Sequence, residues 1–416
     1  MPRAGQQQPG GYLTMHMDRK TRLVIVGNGI ASLKLLEELD PATFDITVAG
    51  AEPEPAYNRV LLSSLLAGDS AVDEVRFHPR AWYDARGIDL RTGDPATALR
   101  PARREVVLQS GARLTYDRLV LATGSDAIRL PIAGAGLHGV TTFRDLADVR
   151  ALQAVAAGTR AVVIGGGLLG IEAAYGLIRR GLDVTLVHLM PTLMERQLDT
   201  TAAAMLRTAL EAKGIRVLLS AETEKIEGSA GVMSAVILKD GRQLPAELLV
   251  MAVGTRPATQ LAATGGLDIG RGIKVDDKLE TNWPQVYALG ECAEHRGQWY
   301  GLVEPAHDQA RVLARYLSGR PARYEGSLLS TSLKVSGVPV YSIGDFEGRE
   351  AETITFHDEG SGCYRKLVIR DGRLAGAVLF GDTSDALWYR ELITSGKPIQ
   401  SVRTWLPFGR AYAEAV

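Results

Sequence analysis

The sequence predicts an α/β protein with two parallel sheets and a smaller α+β unit near its end. A pattern of strand, glycine loop, helix and strand occurs twice along the chain. From the first glycine of the loop to the start of the second strand, the separation is 19 residues in both copies, from Gly27 to Ile46 and from Gly165 to Val184. Strands joined by a helical connection of this length lie side by side in a parallel sheet. We therefore expect one such sheet for each loop.

The first loop reads GNGIAS and begins at Gly27. Gly27 permits a tight turn, and Gly29 lets the backbone approach a pyrophosphate at the N-terminus of the following helix. Ser32 stands at the third glycine position, which mainly requires a small residue. The loop predicts a nucleotide site, and the alternative interpretation is a turn that binds no ligand.

The second loop reads GGGLLG and matches the full dinucleotide fingerprint through Gly165, Gly167 and Gly170. A turn without a ligand would not need all three of these spaced glycines. The second loop is therefore the more specific of the two nucleotide signals.

An acidic residue usually binds the adenosine ribose, and neither unit has one at the equivalent position. The equivalent position is His188 in the second unit and Gly50 in the first, where Glu52 lies two residues later and is the candidate. A neutral imidazole can hydrogen-bond a ribose hydroxyl, whereas a protonated one attracts a 2′-phosphate. His188 therefore leaves NAD, NADP and a simple strand-end cap open. Three arginines lie close in sequence, although arginines that end a helix more often interact with the helix dipole and solvent than with a phosphate: Arg179, Arg180 and Arg196.

Three further segments read as buried strands that end on glycine: LVLATGS, LLVMAVGTRP and VYALGE. Such strand ends face the ligand in open α/β sheets. The chain changes character from about Leu328, where Asp371-Gly372 between two apolar runs indicates a hairpin. The stretch SDALWYRELITSG then predicts a helix, so this last part is a separate α+β unit.

Composition excludes several functional classes. A chain of 416 residues that is 46% hydrophobic can form two or three domains. Its 47 Lys and Arg nearly balance 48 Asp and Glu, so no general basic field favours a nucleic-acid or membrane partner. Two cysteines, Cys292 and Cys363, cannot form a disulfide framework or a four-thiolate cluster, and no metal site is expected. With no membrane-length apolar run and no secretory signal, we expect a cytoplasmic protein.

Five motifs in order resemble those of flavoprotein reductases with two dinucleotide folds: LVIVGNGIAS, LVLATGS, AVVIGGGLLGIE, MAVGTRP and VYALGECAE. Members of that family bind FAD at the first loop and NAD(P)H at the second. The resemblance implies two Rossmann-like domains, with the NAD domain inserted into a discontinuous FAD domain. The implied segments are a flexible tail (1–19), the FAD-binding domain (20–142 and 255–326), the NAD(P)-binding domain (143–254) and the C-terminal α+β domain (327–416).

The same resemblance implies roles for single residues. Glu172 would point at the nicotinamide carboxamide, although it could be an ordinary acid near a helix start. Glu291 would accept hydrogen bonds from the ribityl chain. Val303, Glu304 and Pro305 would precede a helix beginning at His307, whose N-terminus stabilises negative charge on the reduced flavin. Further cofactor contacts are expected at Arg59, Ala96, Thr123, Gly124, Arg144, Gly254 and Gly290.

A narrower resemblance rests on segments that include AEPEPAYNRVLLSS, VTLVHLMPTLMERQLD and LVEPAHDQAR. They are similar to the flavin-containing N-terminal part of the large subunit of NADH-dependent assimilatory nitrite reductase, and to electron-transfer subunits of assimilatory nitrate reductase. In that family a histidine occupies position 188 and NADH is the usual donor. The chain ends at Val416 without the iron–sulfur and sirohaem domains of the full subunit, so the resemblance implies a reductase that passes electrons to a partner.

Two other functions stay open at this point. The first is an NAD(P)H-dependent reductase of ferredoxin or rubredoxin, and the second is a non-catalytic flavoprotein that senses NADH. NADPH as donor and a homodimer are also open. The stretch YNRVLLSSLL, where disulfide reductases of similar fold carry redox cysteines, contains none. Electrons are therefore expected to leave directly from the flavin.

Overall fold

A computed structural model describes residues 19–333 and 337–413. The predicted flexible tail therefore lies outside the described residues except for Arg19. The first segment forms strands β1 (Thr21–Val26), β2 (Phe44–Gly50), β3 (Asp89–Thr92), β4 (Ala96–Arg100), β5 (Glu105–Leu108), β6 (Arg113–Thr115), β7 (Arg118–Leu121) and β8 (Ser125–Ala127). Its helices are α1 (Ile30–Glu38), α2 (Leu62–Ala67), α3 (Val72–Val75) and α4 (Arg80–Asp84).

The second segment forms the inserted unit. Its strands are β9 (Val140–Thr142), β10 (Arg160–Ile164), β11 (Asp183–Val187), β12 (Arg216–Leu218), β13 (Thr223–Ser229), β14 (Val232–Leu238), β15 (Gln243–Pro245) and β16 (Leu248–Met251). Its helices are α5 (Leu146–Gln153), α6 (Leu168–Arg179) and α7 (Thr200–Glu211). Strands β12-β11-β10-β16-β9 form one parallel sheet. Because β9 belongs to this sheet, the second sheet begins three residues before the segment start expected at 143.

The third segment returns to the first unit. It contains β17 (Thr255–Pro257), β18 (Ile273–Val275), β19 (Val286–Ala288), β20 (Ala293–His295), β21 (Gln298–Trp299), α8 (Gln260–Thr264) and α9 (Val303–Leu317). Strand β19 pairs in parallel with β7, which completes a sheet of order β19-β7-β1-β2-β3. The chain thus leaves the first unit and re-enters it, which confirms the predicted discontinuous domain.

The last segment forms an antiparallel sheet with a helix on one face. Its elements are β22 (Ser330–Leu333), β23 (Val340–Gly344), β24 (Glu352–Asp358), β25 (Cys363–Arg370), β26 (Arg373–Phe380), α10 (Ala386–Ser395) and α11 (Arg410–Ala413). Asp371 and Gly372 both have left-handed φ, 49° and 68°, and join β25 to β26. The predicted hairpin and the predicted helix are therefore both confirmed.

Both faces of the parallel sheet in each nucleotide unit carry buried apolar side chains, as parallel sheets that are covered by helices require. In β1, Leu23 on one face and Val24 on the other are at most 3% exposed, and in β11 Leu186 and Val187, which also face opposite sides, are fully buried. Short 3-10 helices among the described residues lie at Arg59–Leu61, Pro101–Arg103, Gly290–Cys292 and Leu406–Phe408. No helix in the described part of the chain is long and apolar enough to cross a membrane.

Candidate functional site

The two glycine loops close in the same way. The amide of the first glycine donates to the end of a neighbouring strand, over 2.7 Å for Gly27 and 2.8 Å for Gly165. Both residues have left-handed φ, +107° and +121°. A Cβ would lie 2.0 Å from the carbonyl of Ala122 in the first loop and 2.2 Å from the carbonyl of Ala252 in the second. Only glycine is compatible with either position.

The glycine two positions after the first glycine of each loop, Gly29 or Gly167, faces open space at the start of a helix. Gly29 is the N-cap of α1 and Gly167 is the N-cap of α6, and neither cap makes a side-chain hydrogen bond in the described structure. No described atom outside the loop lies within 4 Å of the position that a Cβ would take. The first N–H groups of both helices have no partner within their own helix. Both loops therefore fit the phosphates of a dinucleotide.

The position of the third fingerprint glycine, which is the last residue of each loop, differs between the two units. Ser32 is buried, and its Oγ donates to the carbonyl of Gly27 at 2.6 Å. A Cβ on Gly170 would instead lie 1.8 Å from the carbonyl of Gly165. The first loop has room for a small side chain, whereas the second requires glycine.

Four of the predicted flavin contacts form one charged cluster, together with Ser125. Arg59 pairs with Glu52 and donates to the carbonyl of Arg144 at 3.0 Å. The Arg144 guanidinium pairs with Glu291 and donates to Ser125 Oγ at 2.8 Å. The four charged side chains are between 17% and 33% exposed. The cluster offers donors and acceptors that are held in place but still reachable by a polar cofactor.

The strand ends of the first sheet meet at one edge. Thr123 and Gly124 follow β7 and Gly290 follows β19, and both strands run parallel to β1. Thr123 Oγ1 donates to the carbonyl of Ala258 at 2.6 Å, and the amide of Gly290 donates to Gln309 Oε1 at 2.7 Å. The structure therefore brings these predicted residues to the edge that carries the first glycine loop, where ligands of open α/β sheets bind.

Glu172 lies where the two nucleotide units pack together. Helix α2 of the first unit contacts α6, and Leu66 leaves no room for a side chain at Gly176. Glu172 is 5% exposed, and Ser63 on α2 is 1% exposed with no hydrogen-bond partner for its Oγ among the described residues. Burial raises the pKa of Glu172 to about 8, and the nearby Ser63 hydroxyl opposes part of that rise. The acid is therefore mainly protonated at neutral pH and can donate a hydrogen bond.

His188 has protein partners at both ring nitrogens. Nδ1 accepts the N–H of Gly166 at 3.0 Å, and Nε2 lies 3.1 Å from Glu195 Oε2. The residue is 8% exposed. Within the described structure both ring nitrogens have a protein partner, so a direct contact of His188 with a ribose hydroxyl stays a prediction that would require one of these hydrogen bonds to be exchanged.

The three arginines near His188 in sequence have different positions. Arg179 pairs with Asp69, and Arg180 donates to the carbonyl of Gln153. Arg196 is exposed and adjoins Glu195. Only Arg196 of the three is therefore next to the residues that surround the second loop.

Helix α9 begins at Val303, four residues before the start expected at His307. Pro305 is tolerated in the first turn because its missing N–H would have no helical partner there. The Glu304 carboxylate pairs with Arg390 and accepts from Ser330 Oγ at 2.7 Å. The side chain of Glu304 is thus directed to the C-terminal unit, and the turn can offer a cofactor its backbone N–H groups.

Two other residues that were predicted to contact a cofactor, Ala96 and Gly254, have mainly apolar packing and backbone hydrogen bonds around them in the described structure. Ala96 begins β4 and packs, partly buried, against an apolar core of the first unit. Gly254 follows β16 with φ +105°, and its carbonyl accepts from the amide of Ile128 at 3.0 Å. Gly254 lies two residues beyond Ala252, which contacts the second loop. Ala96 packs against the apolar core of the first unit.

Four residues that the sequence analysis did not select contact the site: Ser63, Ser125, Glu195 and Gln309. Ser125 directly follows the Thr123-Gly124 strand end, so adjacency could have identified it. Glu195 is an acid seven residues after the anomalous His188, which is a weaker signal. Ser63 and Gln309 are ordinary residues of helices in the sequence, and only packing reveals their surroundings.

Comparison with known proteins gives two family matches. The model described as pyridine nucleotide-disulphide oxidoreductase matches residues 21–310. The model described as rubredoxin NAD+ reductase C-terminal domain matches residues 330–397. Together the two matches cover nearly all of the chain that the structure describes.

Similar proteins include reductases of two kinds. Nitrite reductase [NAD(P)H] of Bacillus subtilis (strain 168) is 47% identical over 88% of this chain and 46% of its own length. The assimilatory nitrate reductase electron transfer subunit of the same organism is 43% identical over 88% of this chain and 48% of its own. The crystal structure of the ferredoxin reductase for the CYP199A2 system from Rhodopseudomonas palustris has a TM-score of 0.84 and 26% identity, covering 91% of this chain and 96% of that one. The chain thus spans about half the length of the two curated relatives.

Proposed function

Because the chain belongs to the pyridine nucleotide-disulphide oxidoreductase family, we propose that it binds FAD at the first glycine loop and NADH at the second. In this proposal it passes the electrons of NADH to a partner redox protein. The observation that carries the proposal is the repeated loop geometry. Gly29 and Gly167 each leave a helix N-terminus open to a phosphate, as a protein with two dinucleotides requires.

A bound flavin accepts a hydride as two electrons and can release electrons singly, which links NADH to one-electron acceptors. The chain's contribution is binding and orientation. The Glu52, Arg59, Arg144 and Glu291 cluster would hold polar groups of the flavin nucleotide. The first turn of α9 would stabilise negative charge through its backbone N–H groups.

Glu172 is the proposed catalytic residue. Its carboxyl group, protonated because it is buried, would donate a hydrogen bond to the carboxamide oxygen of the nicotinamide. Its position between α6 and α2 supports this role, because the reacting groups of the two nucleotides must meet where the two units pack. Helix α2 brings Ser63 rather than a cysteine to this point, which is consistent with electrons leaving directly from the flavin.

We propose nitrate or nitrite reductase as the electron acceptor. The support is the name and the similarity of the two curated relatives, at 47% and 43% identity. NADH is the proposed donor and NADPH the alternative, since the name of the nitrite reductase relative includes both nucleotides.

A second candidate is a reductase of ferredoxin or rubredoxin. It is favoured by the match of residues 330–397 to the rubredoxin NAD+ reductase C-terminal domain. The solved ferredoxin reductase, which the chain covers almost completely, supports the same candidate.

An anaerobic titration of the purified protein with NADH, and separately with NADPH, tests the proposal. We expect flavin absorbance to bleach rapidly with NADH, and the reduced protein to be reoxidised by a nitrate or nitrite reductase acceptor. Faster reoxidation by ferredoxin or rubredoxin would select the second candidate. Bleaching without turnover on any of these acceptors would favour an NADH-sensing flavoprotein, and no bleaching with either nucleotide would refute the reductase function.

The proposed role of Glu172 has its own test. Loss of a hydrogen bond that orients the nicotinamide should slow flavin reduction by roughly tenfold to a hundredfold in Glu172→Ala. Stopped-flow absorbance at saturating NADH measures this rate. An unchanged rate would remove Glu172 from the catalytic machinery.

A further inference from the structure

The hydrogen bonds around His188 determine which nitrogen carries its proton. The N–H of Gly166 donates to Nδ1, so Nδ1 must offer a lone pair and cannot be protonated. The proton of the neutral ring is therefore on Nε2, where it donates to Glu195 Oε2 at 3.1 Å. In this arrangement the imidazole is the donor and the Glu195 carboxylate the acceptor of the hydrogen bond between them.

The imidazole is fixed in this position by packing. A Cβ on Gly166 would lie 2.6 Å from the ring and 2.8 Å from Leu193, so the ring rests directly against the backbone of the second loop. The side chain of His188 is 10% exposed, whereas that of Glu195 is 28% exposed. The histidine is enclosed, and the carboxylate is the group of the pair that a ligand can reach.

The segment after β11 holds Glu195 beside the second loop. The amide of Met194 donates to the carbonyl of Gly166 at 3.0 Å. Leu193 and Met194 are buried, with 0% and 1% exposure. Glu195 is thus held by the anchored backbone of its neighbour Met194 and by the hydrogen bond of its own side chain, beside the strand end where the adenosine ribose of a dinucleotide lies.

We propose that Glu195, positioned by His188, accepts the hydrogen bonds of the adenosine ribose hydroxyls and selects NADH over NADPH. This inference rests on the proposed function, because it assigns the pyridine nucleotide to the second loop. A carboxylate is a good acceptor for a 2′-hydroxyl, and it repels the 2′-phosphate of NADPH. The carboxylate displaced from position 188 is thereby supplied from seven residues further along the chain. Arg196 is the opposing group, because its exposed guanidinium could attract that phosphate.

Equilibrium binding of NAD+ and NADP+ to the purified flavoprotein, measured by calorimetry, tests the proposal without any redox step. Glu195→Gln should lower the preference for NAD+ by roughly tenfold or more, and Glu195→Lys should lower it further, because repulsion of the phosphate is removed and then reversed. The control variant is Glu211→Gln, which removes the same charge from the end of α7, where the side chain is 42% exposed. Thermal melts identify any variant that does not fold.

His188 is tested as a positioning residue. His188→Asn should weaken NAD+ binding in the unaltered background and have little further effect in the Glu195→Gln background, since its role acts through Glu195. A purely structural histidine would lower stability equally in both backgrounds and leave the ratio of the two nucleotide affinities unchanged.

The outcomes separate this inference from the proposed function. If Glu195→Gln and Glu195→Lys keep the nucleotide preference of the control, Glu195 is not the selecting group and the inference is overturned. If neither nucleotide binds the unaltered protein, both the inference and the proposed function fail. If the preference shifts as expected but NADH does not reduce the flavin, the inference is supported and only the proposed function fails.

Discussion

Glu172 is a buried carboxylic acid whose surroundings could not be read from its place in the sequence. An acid in the second turn of a helix is most often stabilised by the helix dipole. Packing of α2 against α6 instead encloses it, with 5% exposure, and raises its pKa to about 8. The consequence is a protonated acid at the contact between the two nucleotide units.

The raised pKa predicts how Glu172 affects stability. The unfolded chain ionises this acid near its ordinary pKa of 4.5, while the folded chain retains the proton up to a pKa of about 8. As the pH rises between these values, the unfolded state gains stability relative to the folded state. The free energy of unfolding should therefore fall by up to about 1.4 kcal/mol per pH unit because of this group.

Glu172→Gln removes the titration and should show less of this fall. Urea unfolding at about pH 5 and about pH 8 measures it, with Glu211→Gln as the exposed control. The variant should gain stability relative to the unaltered chain as the pH rises. Parallel profiles for all three proteins would contradict the assigned burial effect.

The hydrogen-bond partners of His188 and Glu195 could likewise not be read from their places in the sequence. The spacing from Gly165 finds a histidine at position 188, where an acid is usual, because the repeat length is a local property. The hydrogen bond from Gly166 and the approach of Glu195 depend on how the segment after β11 folds back. Sequence spacing contains no information on how the segment after β11 folds back onto the second loop.

The glycine loops are the elements that the sequence predicted best. Each loop position has a requirement that follows from backbone geometry alone, and the observed φ of Gly27 and Gly165 agrees with it. The start of α9 was less predictable. Pro305 and Glu304 resemble a segment before a helix as much as a first turn, and the contact of Glu304 with Arg390 of α10 is made only in the folded chain.

A matched pair of glycine variants tests the role of the second loop. Gly167 has an ordinary backbone conformation and open space at its Cβ position, so Gly167→Ala should fold normally. The added methyl group would enter the space proposed for the pyrophosphate and weaken NADH binding roughly tenfold or more. Gly170→Ala should lower stability by roughly 2 kcal/mol or more, because its Cβ would lie 1.8 Å from a carbonyl oxygen.

Calorimetric NADH binding and thermal melts distinguish the two glycine variants. The expected pattern is lost affinity with normal melting for Gly167→Ala, and early melting for Gly170→Ala. Unchanged NADH affinity in a folded Gly167→Ala protein would exclude this loop as the pyrophosphate site.

At the scale of the whole molecule, the C-terminal unit contacts both nucleotide units. Tyr364 donates to Asp199 Oδ2 at 2.6 Å, and Lys366 lies 3.3 Å from the same oxygen. Asp199 also caps α7 of the second unit by accepting from the amide of Ala202 at 3.0 Å. The Arg390 ion pair with Glu304 joins the C-terminal unit to the first unit. The C-terminal unit therefore contacts both of the units that are proposed to bind the two nucleotides.

Tyr364→Phe tests the energetic importance of this connection. Loss of a hydrogen bond to a carboxylate should lower the free energy of unfolding by about 1.5 kcal/mol. Tyr412→Phe is the control, because Tyr412 is 58% exposed and removal of its hydroxyl should change stability by less than about 0.5 kcal/mol. Urea unfolding measures both variants, and equal stability of the two would show that the contact with Asp199 does not stabilise the protein.

Local patterns were sufficient for the two sheets, the conformation of both glycine loops and the hairpin at Asp371-Gly372, because strand alternation, helix length and tight turns depend on neighbouring residues. The charged cluster from Glu52 to Glu291, the burial of Glu172 beside Ser63 where α2 packs on α6, and the pairing of His188 with Glu195 depend on the folded chain. Their partners are separated in sequence, and their protonation and reach follow from solvent exclusion. That property exists only once the units have packed.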